Sequence, residues 1–184
     1  MPTRKSKTQR REPQKAASHS AVPRAVIVMG VAGAGKSTVG AALAQALGWG
    51  FFDGDDFHPP ANVRKMAAGA ALTDADRSPW LDRLQKLIAG CFAEGESLVL
   101  ACSALKETYR RALRGDFQTV RFVYLKGDYE LMQSRLAARR GHYMNPSLLQ
   151  SQFETLEEPQ DAITVNAAMD LERIIAAVTA ELLA

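Results

Sequence analysis

The 184-residue chain has only two cysteines, Cys91 and Cys102, and no apolar run of membrane-spanning length. Two thiols cannot build a disulfide framework, and their separation rules out a CxxC metal knuckle. They fit a reducing, cytoplasmic setting as two buried thiols. A membrane-spanning helix needs about 20 consecutive apolar residues, so no membrane segment is expected. The amino-terminal stretch lacks the hydrophobic segment of a secretory signal and the apolar face of a transit peptide. No internal repeat is visible.

Charge is also unevenly supplied. Residues 1–24 hold seven Lys/Arg against Glu12 alone, which leaves sixteen basic and nineteen acidic residues for the rest of the chain. The first 24 residues, with three prolines and almost no apolar side chains, read as a disordered basic leader. The body, 25–184, reads as one domain of mildly acidic character. A nucleotide-dependent nucleic-acid-binding protein using the basic leader is the reading from a different functional class. The acidic body and the lack of a basic, aromatic-bearing face count against nucleic acid as a partner.

The body alternates short apolar runs with helical patterns. "AVIVM" (25–29), "WGFFD" (49–53), "SLVLAC" (97–102), "VRFVYLKG" (120–127) and "AITVN" (162–166) read as strands. Helices are expected over 36–48, 107–115, 128–139, 147–156 and from Asp170. Another is expected over 78–95, where Ser78-Pro79 resembles a cap followed by proline at the first helical position. Strands alternating with helices predict an α/β fold of three layers, helix–sheet–helix, around a five-stranded parallel sheet. Ligands of such sheets bind beyond the carboxyl ends of the strands.

At the first of those ends stands "GVAGAGKS" (30–37), the G-x-x-x-x-G-K-S pattern between a buried strand and a helix. Its glycines let successive N–H groups turn toward a phosphate, and the helix amino terminus adds positive potential. Gly30, Val31, Ala32, Gly33, Ala34, Gly35, Lys36, Ser37 and Thr38 are therefore the expected ATP-binding residues. Lys36 would reach the β- and γ-phosphates and Ser37 would ligate Mg²⁺. Neither an aspartate at the tip of "SLVLAC" nor an NKxD-like guanine-reading motif is present. The acid that serves the metal must come from another strand end.

The strand ending at Asp53 supplies it. "DGDDFHPPANVRKM" (53–66) sets Asp53, Asp55 and Asp56 close together, an arrangement that repels unless a metal, an incoming hydroxyl or water offsets it. Residues two apart at a strand end share a side. The expectation is that Asp53 serves magnesium with Ser37, Asp55 takes the proton of the acceptor hydroxyl, and Asp56 faces solvent. His58, Lys65 and Arg77 are donors suited to a polyhydroxylated or anionic acceptor, with Arg77 placed just before a helix amino terminus.

These stretches, with "LTDADRSPWL", "CSALKETYRRALR", "FVYLKGD", "RLAARRGHYM" and "LLQSQFETLEEP", resemble the gluconokinases of the small P-loop type, relatives of shikimate and adenylate kinases. The resemblance spans nearly the whole body. It implies strand order 2-3-1-4-5, a mobile lid over about 126–146, and D-gluconate as the acceptor, phosphorylated by ATP on its terminal hydroxyl. It also implies that Arg139 closes on the transferring phosphates and that Arg135 stacks over adenine. The sequence departs from the family at Ala71, where proline is usual, and at Asn166, where aspartate is common. A kinase of another small acceptor such as shikimate is the nearest alternative. Oligomeric state is left open, a homodimer included.

Overall fold

The structure is a computed structural model that describes residues 24–138 and 146–184. Its centre is strand β1 (Ala25–Met29), every residue of which is buried. Alternate side chains of β1 feed two separate cores. Val26 and Val28 pack with Leu43, Val123, Ile174 and Val178. Ala25, Ile27 and Met29 pack with Trp80, Leu84, Ile88 and Phe122. A strand covered on both faces has no polar side, which is why the run is apolar without alternation.

Helix α1 (Lys36–Leu47) follows β1 and β2 (Gly50–Asp53) follows α1. Next come a short 3-10 turn (Gly54–Phe57), α2 (Pro60–Ala67) and α3 (Asp74–Ala93). The chain continues through β3 (Leu98–Ala101), α4 (Glu107–Arg114), β4 (Val120–Lys126) and α5 (Tyr129–Ala137). It ends with α6 (Pro146–Thr155), β5 (Ile163–Asn166) and α7 (Leu171–Leu182). The sheet is parallel throughout, in the order β2-β3-β1-β4-β5. Apolar residues of α1, α5, α6 and α7 cover one face, and those of α3 and α4 cover the other. This is the expected three-layer fold. Both cysteines are buried free thiols, and burial pushes the Cys102 thiol up to about 12.

Three local expectations need correction. Helix α3 starts at Asp74, four residues before Ser78, and Pro79 lies inside it. Thr73 and Asp76 form a capping box: the Asp76 N–H donates to Thr73 Oγ1 at 3.2 Å and the Thr73 N–H to Asp76 Oδ2 at 2.7 Å. That box satisfies the first-turn donors upstream of the proline, which forfeits only one helical bond. Arg77 consequently sits in the helix, and the helix end it was expected to precede carries Asp74 and Asp76 instead. Second, α2 occupies part of the 53–66 stretch, where no helical signal is read. Third, Arg24 belongs to the body: its guanidinium donates to Glu96 O at 3.0 Å and lies 4.7 Å over the Phe92 ring, and its N–H donates to Thr119 O at 2.9 Å. The remainder of the leader lies outside the described residues. No helix among the described residues is long and apolar enough to cross a membrane.

Candidate active site

Beyond the carboxyl ends of β1, β2 and β3 lies a cavity of ≈ 860 Å³. Its floor is the loop between β1 and α1. Gly33 (φ 83°) and Gly35 (φ 94°) hold left-handed conformations that glycine adopts without strain. At Gly33 a Cβ would stand 2.8 Å from the Met132 carbonyl oxygen, so only glycine lets the loop press against α5. Ala32, Gly33, Gly35, Lys36 and Ser37 line the cavity. Val31 and Ala34 are buried behind it, Thr38 is exposed on the first turn of α1, and the Gly30 N–H donates to Ser103 O at 3.3 Å. The Lys36 ammonium reaches back across the loop to Val31 O at 3.1 Å.

The carboxylates of the 53–56 stretch are sorted by the 3-10 turn. Asp53 accepts the Ser37 hydroxyl at 2.5 Å with one oxygen and the Asp55 N–H at 3.1 Å with the other. Asp53 and Asp55 line the cavity, while exposed Asp56 stands outside its lining. This placement does not come from strand alternation, the cause expected from the sequence. The strand ends at Asp53, so alternation cannot place Asp55; the three-residue period of the turn carries Asp55 and Asp56 to different sides. Packing fixes the turn. Trp80 Nε1 donates to Gly54 O at 2.7 Å, and a Cβ on buried Gly54 would meet Ala101 O at 2.8 Å.

His58 and Lys65 do not line the cavity. His58 is 9% exposed and stacks on Trp80 at 4.3 Å, with Nε2 3.9 Å from Asp55 Oδ1. Burial lowers its pKa, against the opposing pull of Asp55 and with the aid of Arg77. The ring stands behind Asp55. Lys65 is held by Asp76 Oδ2 at 2.5 Å, and that bond, with those from Thr73, keeps Asp76 ionised well below the usual carboxylate range. Asn62, whose amide donates to Asp76 O at 2.8 Å, completes the link from α2 to α3. Arg77 does line the cavity, its guanidinium 5.7 Å from the Tyr109 ring centre.

The wall around Arg77 contains residues to which the sequence reading assigns no role. Lys106 donates to both oxygens of Asp74, at 2.8 and 2.9 Å, and the Tyr109 hydroxyl donates to the same carboxylate. Both contacts hold Asp74 below its ordinary pKa, Lys106 first, and Lys106 is raised in turn. The turn before Lys106 includes Ala104 at φ 45°, the one non-glycine with positive φ among the described residues. Arg110, only 3% exposed, holds this turn by donating to Ala104 O at 3.0 Å and Leu105 O at 3.1 Å, with Glu107 as its counter-ion. Leu105 O also accepts the Glu157 N–H at 2.9 Å. Arg110→Met should lower unfolding free energy by about 1–3 kcal/mol, since it removes the Arg110 donor from the Ala104 carbonyl, whereas Leu105 O keeps the Glu157 N–H and Glu107 keeps Arg111. Urea denaturation at unchanged m-value checks this; an unchanged midpoint would show that the guanidinium contributes nothing net.

Two further positions depend on α5 and α6. Arg135 lies outside the cavity lining and donates to Ala167 O at 2.7 Å and Ala34 O at 3.5 Å, which ties the phosphate loop to the turn after β5. That turn is closed by Asn166, whose side chain accepts the Ala168 N–H at 2.8 Å. Gln152 Oε1 accepts the Ala32 N–H of the phosphate loop at 2.7 Å, a contact between α6 and β1–α1 that no local pattern announces. The described part of the expected lid is the end of β4 and α5, anchored by buried Met132. Arg139 lies outside the described residues.

A glycine loop followed by a lysine and a helix start is a nucleotide-phosphate cradle. Ser37 and Asp53 offer a hydroxyl and a carboxylate, the hard oxygen donors Mg²⁺ prefers when phosphates and water complete its shell. No group of three or more His, Cys, Asp or Glu among the described residues could hold a metal by itself. Fold and site together define a P-loop kinase of a small acceptor.

A family model described as shikimate kinase matches residues 32–174. The gluconokinase of Gluconobacter oxydans is 50% identical over 139 residues, 76% of this chain and 78% of that protein. The thermosensitive gluconokinase of Escherichia coli K12 is 43% identical over 153 residues, 83% of this chain and 82% of that one. The crystal structure of a gluconokinase from Sinorhizobium meliloti 1021 superposes with a TM-score of 0.80 at 43% identity, covering 88% of this chain and 93% of that one. Shikimate kinase from Aquifex aeolicus, at 17% identity and a TM-score of 0.57, shares the fold. The chain belongs to the gluconokinase family, within the shikimate-kinase-like group of P-loop kinases.

Proposed function

We propose that the protein transfers the γ-phosphoryl group of ATP to the terminal hydroxyl of D-gluconate, releasing ADP and 6-phospho-D-gluconate. One observation carries the reading beyond family membership. A single cavity brings the phosphate loop and the Asp53–Asp55 pair together with Arg77, a cation on a separate element. A donor phosphate, an acceptor hydroxyl and an anionic acceptor tail thus each have a group of fitting chemistry.

The loop backbone at Gly33 and from Gly35 to Ser37 cradles the β- and γ-phosphates, and Lys36 meets the charge that spreads over the transferring oxygens. Asp55 orients the acceptor hydroxyl and takes its proton as the new P–O bond forms and the bond to the β-phosphate oxygen breaks. Ser37 and Asp53 would hold Mg²⁺, which when bound would neutralise phosphate charge. Arg77 attracts the sugar acid's carboxylate side. Asp56 takes no part. His58 and Lys65 act at one remove, His58 by backing Asp55 and Lys65 by holding the α3 capping box. The planar face of Arg135, whose edge is bound to two carbonyls, is assigned to the adenine, and Arg139 to the transferring phosphates.

A coupled ADP-release assay over sugar acids, shikimate and nucleoside monophosphates tests the reading. D-gluconate should give the highest kcat/KM of the panel. A higher value for shikimate or a nucleoside monophosphate would overturn it.

A further inference from the structure

We propose that Lys106 recognises the acceptor's carboxylate together with Arg77, held in place for this task by Asp74 and Tyr109; the proposal rests on the gluconate reading above. A linear sugar acid carries its carboxylate at the end opposite the hydroxyl that is phosphorylated. With that hydroxyl at Asp55, the carboxylate falls toward the wall away from the phosphate loop. The cations lining the cavity, among the described residues, are Lys36, Arg77 and Lys106. Lys36 belongs to the phosphate loop.

The formal charges of the far wall match one carboxylate. Arg77 and Lys106 are opposed there by Asp74, while Asp76 stands outside the lining and is bound by Lys65 and Thr73. One positive charge is left over, and a single acceptor carboxylate neutralises it. Lys106 also has donor capacity to spare: an ammonium carries three N–H groups and Asp74 takes at most two. Its side chain is 29% exposed, within reach of a ligand and still confined.

Its position is set before a substrate arrives. Tyr109 pins Asp74 from one side, and the Lys106 ammonium lies 5.5 Å from the Tyr109 ring centre. The left-handed Ala104 turn, braced by buried Arg110, fixes the backbone from which Lys106 projects. A preorganised cation loses less freedom on binding than a solvated one, so more of its interaction appears as selectivity.

The test compares D-gluconate with D-glucitol, in which the carboxylate is replaced by a neutral CH₂OH. The full-length wild type and Lys106→Gln are assayed with each compound, as substrate or as competitive inhibitor. Lys106→Gln should raise KM for gluconate by about 10- to 100-fold, the range of a lost charge-assisted hydrogen bond. The constants for glucitol and the KM for ATP should stay unchanged. Equal losses for gluconate and glucitol would show a structural residue and overturn the proposal, as would no loss for either. If the wild type fails to phosphorylate gluconate, the functional reading fails instead. Calorimetric binding of gluconate in the presence of ADP then reads Lys106 directly: weaker binding by Lys106→Gln upholds its role, and equal binding removes it.

Discussion

Lys36→Ala should lower kcat by roughly 10²-fold or more, the usual consequence of removing an electrostatic contact to developing transition-state charge. The fold should survive it. Lys36 opens α1 at the cavity edge, and its ammonium contacts the carbonyl of Val31 in its own loop, so none of the sheet's two cores depends on it. The glycine turns that shape the cradle are backbone features and remain in the variant. ATP should therefore still bind, with the loss concentrated in the chemical step. Steady-state kinetics with gluconate, set beside a melting curve, provide the check. Retention of more than about a tenth of wild-type kcat would sink the assignment of this loop to phosphoryl transfer.

Asp55→Asn should be the most damaging of the three changes in the acidic stretch, because asparagine keeps the shape and hydrogen-bonding reach of the side chain but cannot take a proton. General-base contributions run to about 10²–10⁴-fold, and a kcat loss in that range with ATP affinity retained is expected. Asp53→Asn should act differently. Asp53 receives the Ser37 hydroxyl and caps the turn through the Asp55 N–H, so its weakened carboxylate should raise the magnesium concentration needed for half-maximal rate. Asp56→Asn should be nearly silent, since that side chain is exposed away from the cavity. Kinetics of the three variants against Mg²⁺, ATP and gluconate decide the matter. If Asp56→Asn proved the most harmful, or Asp55→Asn changed only the magnesium dependence, the division of roles would be wrong.

The corrected details have a common origin. Ser78-Pro79 looks like a helix start because cap preferences are local, but the Thr73–Asp76 box is local too and lies upstream of it. His58 has the composition of an acceptor ligand, yet Trp80 from α3 offers a stacking face that takes the ring out of the cavity. Lys65 is drawn to Asp76, eleven positions away on another helix. Arg24 has the composition of the leader but finds Phe92 and Glu96 at the end of α3. In the last three cases a distant partner outweighs a local preference that is worth a kcal/mol or so.

What the sequence by itself determined was the short-range pattern of the strands and of the phosphate loop. Apolar runs without alternation marked strands buried on both faces, and glycines at fixed intervals before Lys36 and Ser37 marked the phosphate cradle. The acidic residues after β2 were legible as a site because their mutual repulsion demands a reason. Tertiary structure alone decided which of those carboxylates reach the cavity and what stands opposite them. Lys106 meets Asp74 across 32 positions, and Gln152 meets Ala32 across 120. Such pairs leave no periodic trace along the chain; they exist only because a parallel sheet gathers the carboxyl ends of its strands on one edge.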